Sequence, residues 1–389
     1  MKKKVTCIVF LIIIFTLPII SGLTKSLNVY RTIDKSDGIN LSEVYKCVEA
    51  GVDGAIKLDR YKNAFINYNG LFQKLIGRRT VEDIDKDNKI IKLNNDKLTF
   101  VSSILNDATS KANSIKKLND YLKGENIPLL YVQAPSKISK YEDELPKGVK
   151  SYDNEYADNY ISQISDEIDV IDLREEMYND GLNQADYFFN TDHHWTPEGA
   201  FYGFQKVSSL LEEKYGFKFD KKFTDLNNYD KIVYEDWFLG SQGKRVGKYY
   251  AGVDDISLYI PKFETNFYNS LPADNYNRSG EWSDALISKH HIDKKDYFKA
   301  NPYAMYIGGD YSLNIIKNNL SQNDKKVLLI RDSFGCAFTP FLSLICSELD
   351  TVDFRYYKQG SIIDYIEESK PDIVIALFNP SGIQEMRLK

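Results

Sequence analysis

Lys325-Lys326-Val327-Leu328-Leu329-Ile330-Arg331-Asp332-Ser333-Phe334-Gly335 is the stretch on which the fold turns. Four apolar residues in a row, Val327 to Ile330, behind two lysines are the pattern of a strand buried on both faces. From Gly335 the apolar residues Ala337, Phe338, Phe341, Leu342 and Ile345 recur at one-, three- and four-residue steps, the spacing of a helix with a buried side. A strand that passes into a helix through so short a turn is the repeating unit of α/β sheets. Such a turn leaves backbone N–H groups unpaired at the helix N-terminus, where a developing oxyanion can be held. Ser333 lies on it.

Working outward, the alternation continues. A helical pattern runs from Ser103 through Ile104, Leu105, Ala108, Ala112, Ile115 and Leu118 to Leu122, with Gly124 at the expected C′ position. Ile127–Val132 is a strand, Tyr152–Ile164 a helix and Val170–Leu173 a short strand. After the serine helix come a strand at Val352–Tyr356, a helix at Ile362–Ser369 and a last strand at Ile373–Phe378. This order predicts an α/β layered domain over 99–389 with a mainly parallel sheet. Residues of about 220–300 break the rhythm, being rich in Tyr, Asp, Asn and Gly, and predict an inserted β/loop-rich subdomain or lid. Residues 25–98 form a mixed N-terminal region, with Asp85–Asn95 as an exposed loop or hairpin.

The ends and the composition narrow the setting. Lys2-Lys3-Lys4 precedes the apolar run Val5–Leu23, and 1–24 is either a signal peptide or an N-terminal membrane anchor. Nineteen residues of helix reach about 28 Å, just enough to cross a bilayer core. Both alternatives put the rest of the chain outside the cytoplasm, secreted or anchored. The 389 residues carry a net charge of −6 and no other long basic run, so nothing marks a nucleic-acid surface. Of the four cysteines, Cys7 is in the apolar run, and Cys47, Cys336 and Cys346 show no spacing of a disulfide framework.

The chemistry is concentrated in two places. Asn190-Thr191-Asp192-His193-His194-Trp195-Thr196-Pro197 holds two of only four histidines. A serine hydroxyl becomes a nucleophile when an imidazole takes its proton, and a carboxylate on that imidazole fixes its tautomer. In an extended segment residues two apart share a face, so Asp192 and His194 are expected to work together, with His193 facing away as the fallback base. The competing reading makes Asp192 a turn cap and the histidines packed loop residues. Thr196 is a good N-cap and Pro197 suits the first helical position of the next helix. Backbone at Gly240 or the amide of Gln242, in Gly240-Ser241-Gln242-Gly243-Lys244-Arg245, is a candidate second oxyanion donor. Arg331 beside the serine is a further candidate for substrate binding or for support of the turn. Asp192, His193, His194, His290 and His291 are zinc ligand types, but adjacent histidines rarely converge on one ion and no His-x-x-His spacing occurs. No metal and no cofactor are expected.

The Thr191–Pro197 string resembles the signature of the DHHW-motif proteins, relatives of the alginate O-acetyltransferases in the SGNH-hydrolase-like superfamily. The likeness extends to Val132-Gln133-Ala134-Pro135-Ser136-Lys137, Gly240–Gly247 and Arg331–Gly335, and so spans roughly 100–389. It implies a flavodoxin-like three-layer sandwich with a circularly permuted motif order, in which Asp192, His194 and Ser333 form a triad. It also implies an extracytoplasmic enzyme that moves acetyl groups on a cell-surface or exported polysaccharide, beside a multispanning membrane acyltransferase. The serine motif here is Arg-Asp-Ser, not the Gly-Asp-Ser of the wider superfamily, and the polymer stays open. An esterase with the same residues and a non-catalytic glycan-binding or assembly protein are the alternatives.

Overall fold

The structure, a computed structural model, describes residues 59–82 and 89–387. The apolar run 5–23, Cys7, Cys47 and residues 85–88 of the Asp85–Asn95 stretch lie outside the described residues. Among the described residues no helix is long and apolar enough to cross a membrane. The chain divides into two compact units, 1–69 and 70–389. Of the first, only the opening turns of the helix Asp59–Leu75 are described.

The larger unit is built on an eight-stranded sheet. Five strands are mutually parallel: β4 (Leu129–Gln133), β5 (Asp169–Asp172), β11 (Lys326–Arg331), β12 (Glu348–Asp353) and β13 (Ile373–Phe378). They lie side by side as β5-β4-β13-β11-β12, so the last strand of the chain slots between the first and the third of the five. Three antiparallel strands extend the β12 edge: β10 (Leu313–Asn318), β8 (Phe267–Leu271) and β9 (Tyr276–Gly280). Side chains alternate faces at every step of a strand. Val327 and Leu329 accordingly enter one core and Leu328 and Ile330 the other. Helices Pro197–Tyr215 and Gly335–Leu342 cover the first face, and helices Thr109–Gly124, Asp153–Ile164 and Ile362–Ser369 the second. The result is a three-layer sandwich.

Two expectations about the helix that leads into β4 are corrected by packing. The helix before β4 starts at Thr109, not near Ser103; Ile104 and Leu105 are exposed loop residues, and Asp107 accepts the Thr109 N–H at 3.1 Å. Its left-handed exit is taken by Asn126 (φ 59°), leaving Gly124 inside the last turn. The 220–300 segment is rich in strands and loops, as expected. Its β6 (Tyr229–Phe238) and β7 (Asp254–Pro261) pair as a two-stranded ribbon, but its β8 and β9 belong to the central sheet. Backbone groups at a sheet edge need partners, and β10 supplies them to β8. Residues 70–98 share the compact unit of the remainder. There β1 (Thr80–Glu82), β2 (Lys89–Lys92) and β3 (Leu98–Thr99) form a small antiparallel sheet.

Candidate active site

Ser333 follows β11 directly, at the carboxyl end of the parallel strands, where open α/β sheets gather their sites. The turn is held by Asp332. One of its carboxylate oxygens accepts the Phe334 N–H at 2.9 Å, and the other accepts the Asn379 N–H just past β13 at 2.8 Å. Burial pushes the Asp332 carboxyl up to about 6 against those two bonds. Trp195 Nε1 and the Tyr303 hydroxyl both donate to the Phe334 carbonyl, at 3.0 and 3.2 Å. The turn is thus fixed on both sides of the serine. Among the described residues the Ser333 N–H meets no acceptor within the protein.

The histidines reach this turn from outside the sheet. His194 Nε2 lies 2.8 Å from Ser333 Oγ, and His194 Nδ1 lies 2.5 Å from Asp192 Oδ1. Asp192 is buried. Desolvation opposes its charge, but the two imidazoles and the bonds from His194 and the Ser241 N–H outweigh it and hold the carboxyl well below its ordinary value. The segment is not extended, as the side-chain alternation had required. Asp192 Oδ1 also accepts the N–H of His194, two residues on, and this local turn folds the chain back. His193 therefore does not face away: its ring lies on that of His194, with centroids 3.8 Å apart. The Tyr303 ring stacks on the other side of His194 at 4.1 Å and 12°. Sandwiched in this way, the imidazole keeps one orientation. His193 Nδ1 pairs with Ser241 Oγ at 2.8 Å, and desolvation, followed by the charge of His194, favours its neutral form. It does not touch Ser333 among the described hydrogen bonds.

Asp192, His193 and His194 present ligand-type atoms within 4.8 Å of one another. Their closeness has another cause, since both nitrogens of His194 are engaged by Asp192 and Ser333.

Of the three candidate substrate contacts, Gly240 and Arg331 are committed to other groups. Gly240 donates its N–H to Thr191 Oγ1 at 2.8 Å and has none left for an oxyanion. Its bare α-carbon is needed for a different reason, because a Cβ there would stand 2.2 Å from that of Asp192. Gln242 is buried, with Oε1 accepting from Lys137 Nζ at 3.2 Å and Nε2 meeting no hydrogen-bond partner among the described residues. Arg331 is 0% exposed and donates to Asp310, Gly309 and the Asp332 carbonyl, so it braces the turn and does not reach substrate.

Further buried residues complete the support. Asp254, buried at the start of β7, accepts the N–H groups of Asn190 and Thr191 at 2.7 Å each and the Thr191 hydroxyl at 2.6 Å. Thr191 returns its carbonyl to the N–H groups of Gln242 and Gly243. Lys137, in the loop after β4, donates to the Leu98 carbonyl at 2.5 Å and to Gln242, and burial brings its amine down to about 7. Asp254 and Tyr303 are one aspartate and one tyrosine among many, so only the folded arrangement singles them out.

With fold and geometry in view, the class is defined: an α/β domain of SGNH-hydrolase-like architecture with a serine, a histidine and an aspartate joined at the carboxyl end of its sheet. Residues 100–226 match the model of the SGNH hydrolase-like domain of acetyltransferase AlgX. No curated protein matches the chain. Among solved structures, Bacillus cereus PatB1, determined with a sulfonyl adduct, superposes with TM-score 0.65 at 20% identity, covering 77% of this chain and 96% of that one. A DHHW family protein from Eubacterium siraeum gives TM-score 0.56 at 18% identity, covering 80% and 99%. These likenesses establish the shared fold.

Proposed function

We propose that the protein is an extracytoplasmic O-acetyltransferase acting on a polysaccharide through an acyl-serine intermediate. The observation that carries this reading is the continuous pair of hydrogen bonds from Asp192 through His194 to Ser333, 2.5 and 2.8 Å long. His194 Nε2 takes the proton of Ser333 as Oγ attacks the carbonyl carbon of an acyl donor. The unpaired Ser333 N–H donates to the oxyanion of the tetrahedral intermediate. Asp192 stabilises the imidazolium, which then gives its proton to the leaving group. In the second half a sugar hydroxyl passes its proton to His194 and attacks the acyl-serine, releasing the acetylated sugar and the free enzyme. A membrane-embedded acyltransferase supplying the acyl group from the cytoplasmic side belongs to the same proposal, as does attachment or export through residues 1–24.

The test uses the full chain, a chromogenic acetyl ester as donor and oligosaccharides as acceptors, with products followed by mass spectrometry. Wild type is expected to acetylate a sugar, and Ser333→Ala to lose turnover by roughly a thousandfold or more. A sulfonyl fluoride should add its mass to Ser333 in the wild type alone. Acetate release without acetylated sugar would make the protein an esterase. Turnover that survives in Ser333→Ala removes the mechanism.

A further inference from the structure

Among the described residues three rings flank His194, and the mechanism above uses none of them for chemistry. The Tyr303 ring alone lies nearly parallel to it, 12° from its plane with centroids 4.1 Å apart, against 37° for His193 and 52° for Phe334. Tyr303 is 2% exposed and His194 7%. The tyrosine therefore presents its π face to the imidazole in a place that water barely reaches. It is also fixed there. Tyr303 sits in the strap 301–310, whose first turn is Pro302–Met305. The Ser288 N–H donates to the Met305 carbonyl at 2.8 Å, and the Ile307 N–H to the Leu286 carbonyl at 3.0 Å. The Tyr303 hydroxyl donates to the Phe334 carbonyl, and Phe189 meets the tyrosine ring edge-on at 6.3 Å and 88°.

An aromatic face is the negative side of a quadrupole and attracts a cation within about 6 Å of its centroid, more strongly where the pair is desolvated. The His194 imidazole gains a positive charge as its Nε2 takes the Ser333 proton. A ring that favours this charge lowers the barrier, because the interaction is stronger in the transition state than before it. Tyr303 can act in this way without changing its own charge. Burial holds its phenol well above the ordinary value, so the hydroxyl keeps its proton and goes on donating to Phe334. Asp192 meets the same imidazole at its edge, 2.5 Å from Nδ1. Carboxylate and ring thus approach the charge from perpendicular directions, and neither displaces the other.

We infer that Tyr303 is a positioning residue whose ring face stabilises the charge that His194 gains when it takes the Ser333 proton. The inference rests on the acyl-serine reading above and is independent of which acceptor follows. It separates two tasks of one side chain. Holding the imidazole in one orientation needs only a flat ring of this size. Stabilising its charge needs electron density on the face of that ring, and fades as the density is withdrawn.

The test uses the full chain with Tyr303 replaced by Phe and by 4-fluoro-, 3,5-difluoro- and pentafluorophenylalanine, which keep the outline of the ring and progressively empty its face. Two rates are read. One is sulfonylation of Ser333 by a sulfonyl fluoride, in which Oγ bonds to sulfur, fluoride leaves and His194 takes the proton. The other is kcat/KM for the chromogenic ester. Tyr303→Phe should stay within a few-fold of wild type. From there both rates should fall step by step with fluorination, by about tenfold in all, while KM and the urea midpoint hold nearly constant. Tyr303→Leu, which has no π face, should lose at least as much. If the pentafluoro chain is less stable, the first two fluorination steps decide. A flat series overturns the inference, as does a loss that tracks the urea midpoint or a Tyr303→Leu variant as fast as wild type. If wild type takes no sulfonyl group at Ser333 and hydrolyses no ester, or if His194→Ala does both at full rate, the acyl-serine reading itself fails and this inference falls with it.

Discussion

The serine turn and the histidine loop meet at one hydrogen bond, yet they are held in place by opposite means. Ser333 is positioned mainly by its own neighbourhood: a buried strand ends, Asp332 caps the turn, and a helix begins two residues later. Asn190–Trp195 has no regular structure. It is held by Asp254 from β7, by Gly240–Gly243 after β6, by Lys137 after β4 and by Tyr303 from the strap. A nucleophile can be aimed by local backbone geometry, because a strand–helix turn exposes its side chain in one direction. A base on a loop needs distant parts of the chain to close around it.

That contrast can be broken from the loop side. Gly240→Ala places a methyl group where Asp192 already is, 2.2 Å away. We expect about a hundredfold lower turnover, since displacements of about 1 Å in a reacting constellation cost that much. Unchanged kinetics would mean that the clamp does not position Asp192. Asp254→Asn comes next. One of the three groups that donate to Asp254 would then face an N–H of the new amide, leaving a buried donor unpaired at about 1–3 kcal/mol. Urea unfolding should show that loss, together with slower turnover of about tenfold. Loss of stability without loss of rate would separate the fold of this loop from its chemistry.

Lys137 sharpens the comparison through pH. Its folded pKa of about 7 lies below the ordinary 10.5, so between these values the unfolded chain binds a proton that the folded protein lacks. Stability contributed by this group therefore rises with pH across that window, by at most about 1.4 kcal/mol per unit, and the contribution is flat below about pH 6. The difference in unfolding free energy between wild type and Lys137→Met should grow from pH 7 to 10. A constant difference would show that the amine is not desolvated. The smallest effect is expected for Tyr303→Phe, which keeps the ring on His194 and loses only the bond to the Phe334 carbonyl. About 1 kcal/mol of stability and a few-fold in rate should go. A larger loss would mean that the serine turn depends on the strap more than on its own backbone.

Legibility followed the range of the forces involved. The strands β11 and β13 and the helix Ile362–Ser369 were evident because alternation and apolar runs are local properties. Thr196 and Pro197 marked the start of the helix after the histidines, and Thr196 does accept the Gly199 N–H at 3.3 Å. The helix start at Thr109 was misjudged because Ile104 and Leu105 fit the period but find no core to enter. The stacking of His193 on His194 was not foreseen, since extended spacing was assumed and the Asp192 side chain turns the chain instead. Gly240 was weighed as an oxyanion donor, but its N–H is taken by Thr191, and what its position requires is space, which depends on what packs against it.

The amino-acid order by itself determined the layered α/β class, the strand-to-helix turn bearing Ser333 and the confinement of the histidine chemistry to one loop, since backbone propensity and apolar period act over a few residues. Folding in three dimensions decided which imidazole meets the hydroxyl and that Arg331 is a brace. Those outcomes depend on contacts between segments as far apart as Lys137, Asp254 and Asp310, and such contacts are selected by burial and charge pairing, which no local pattern encodes.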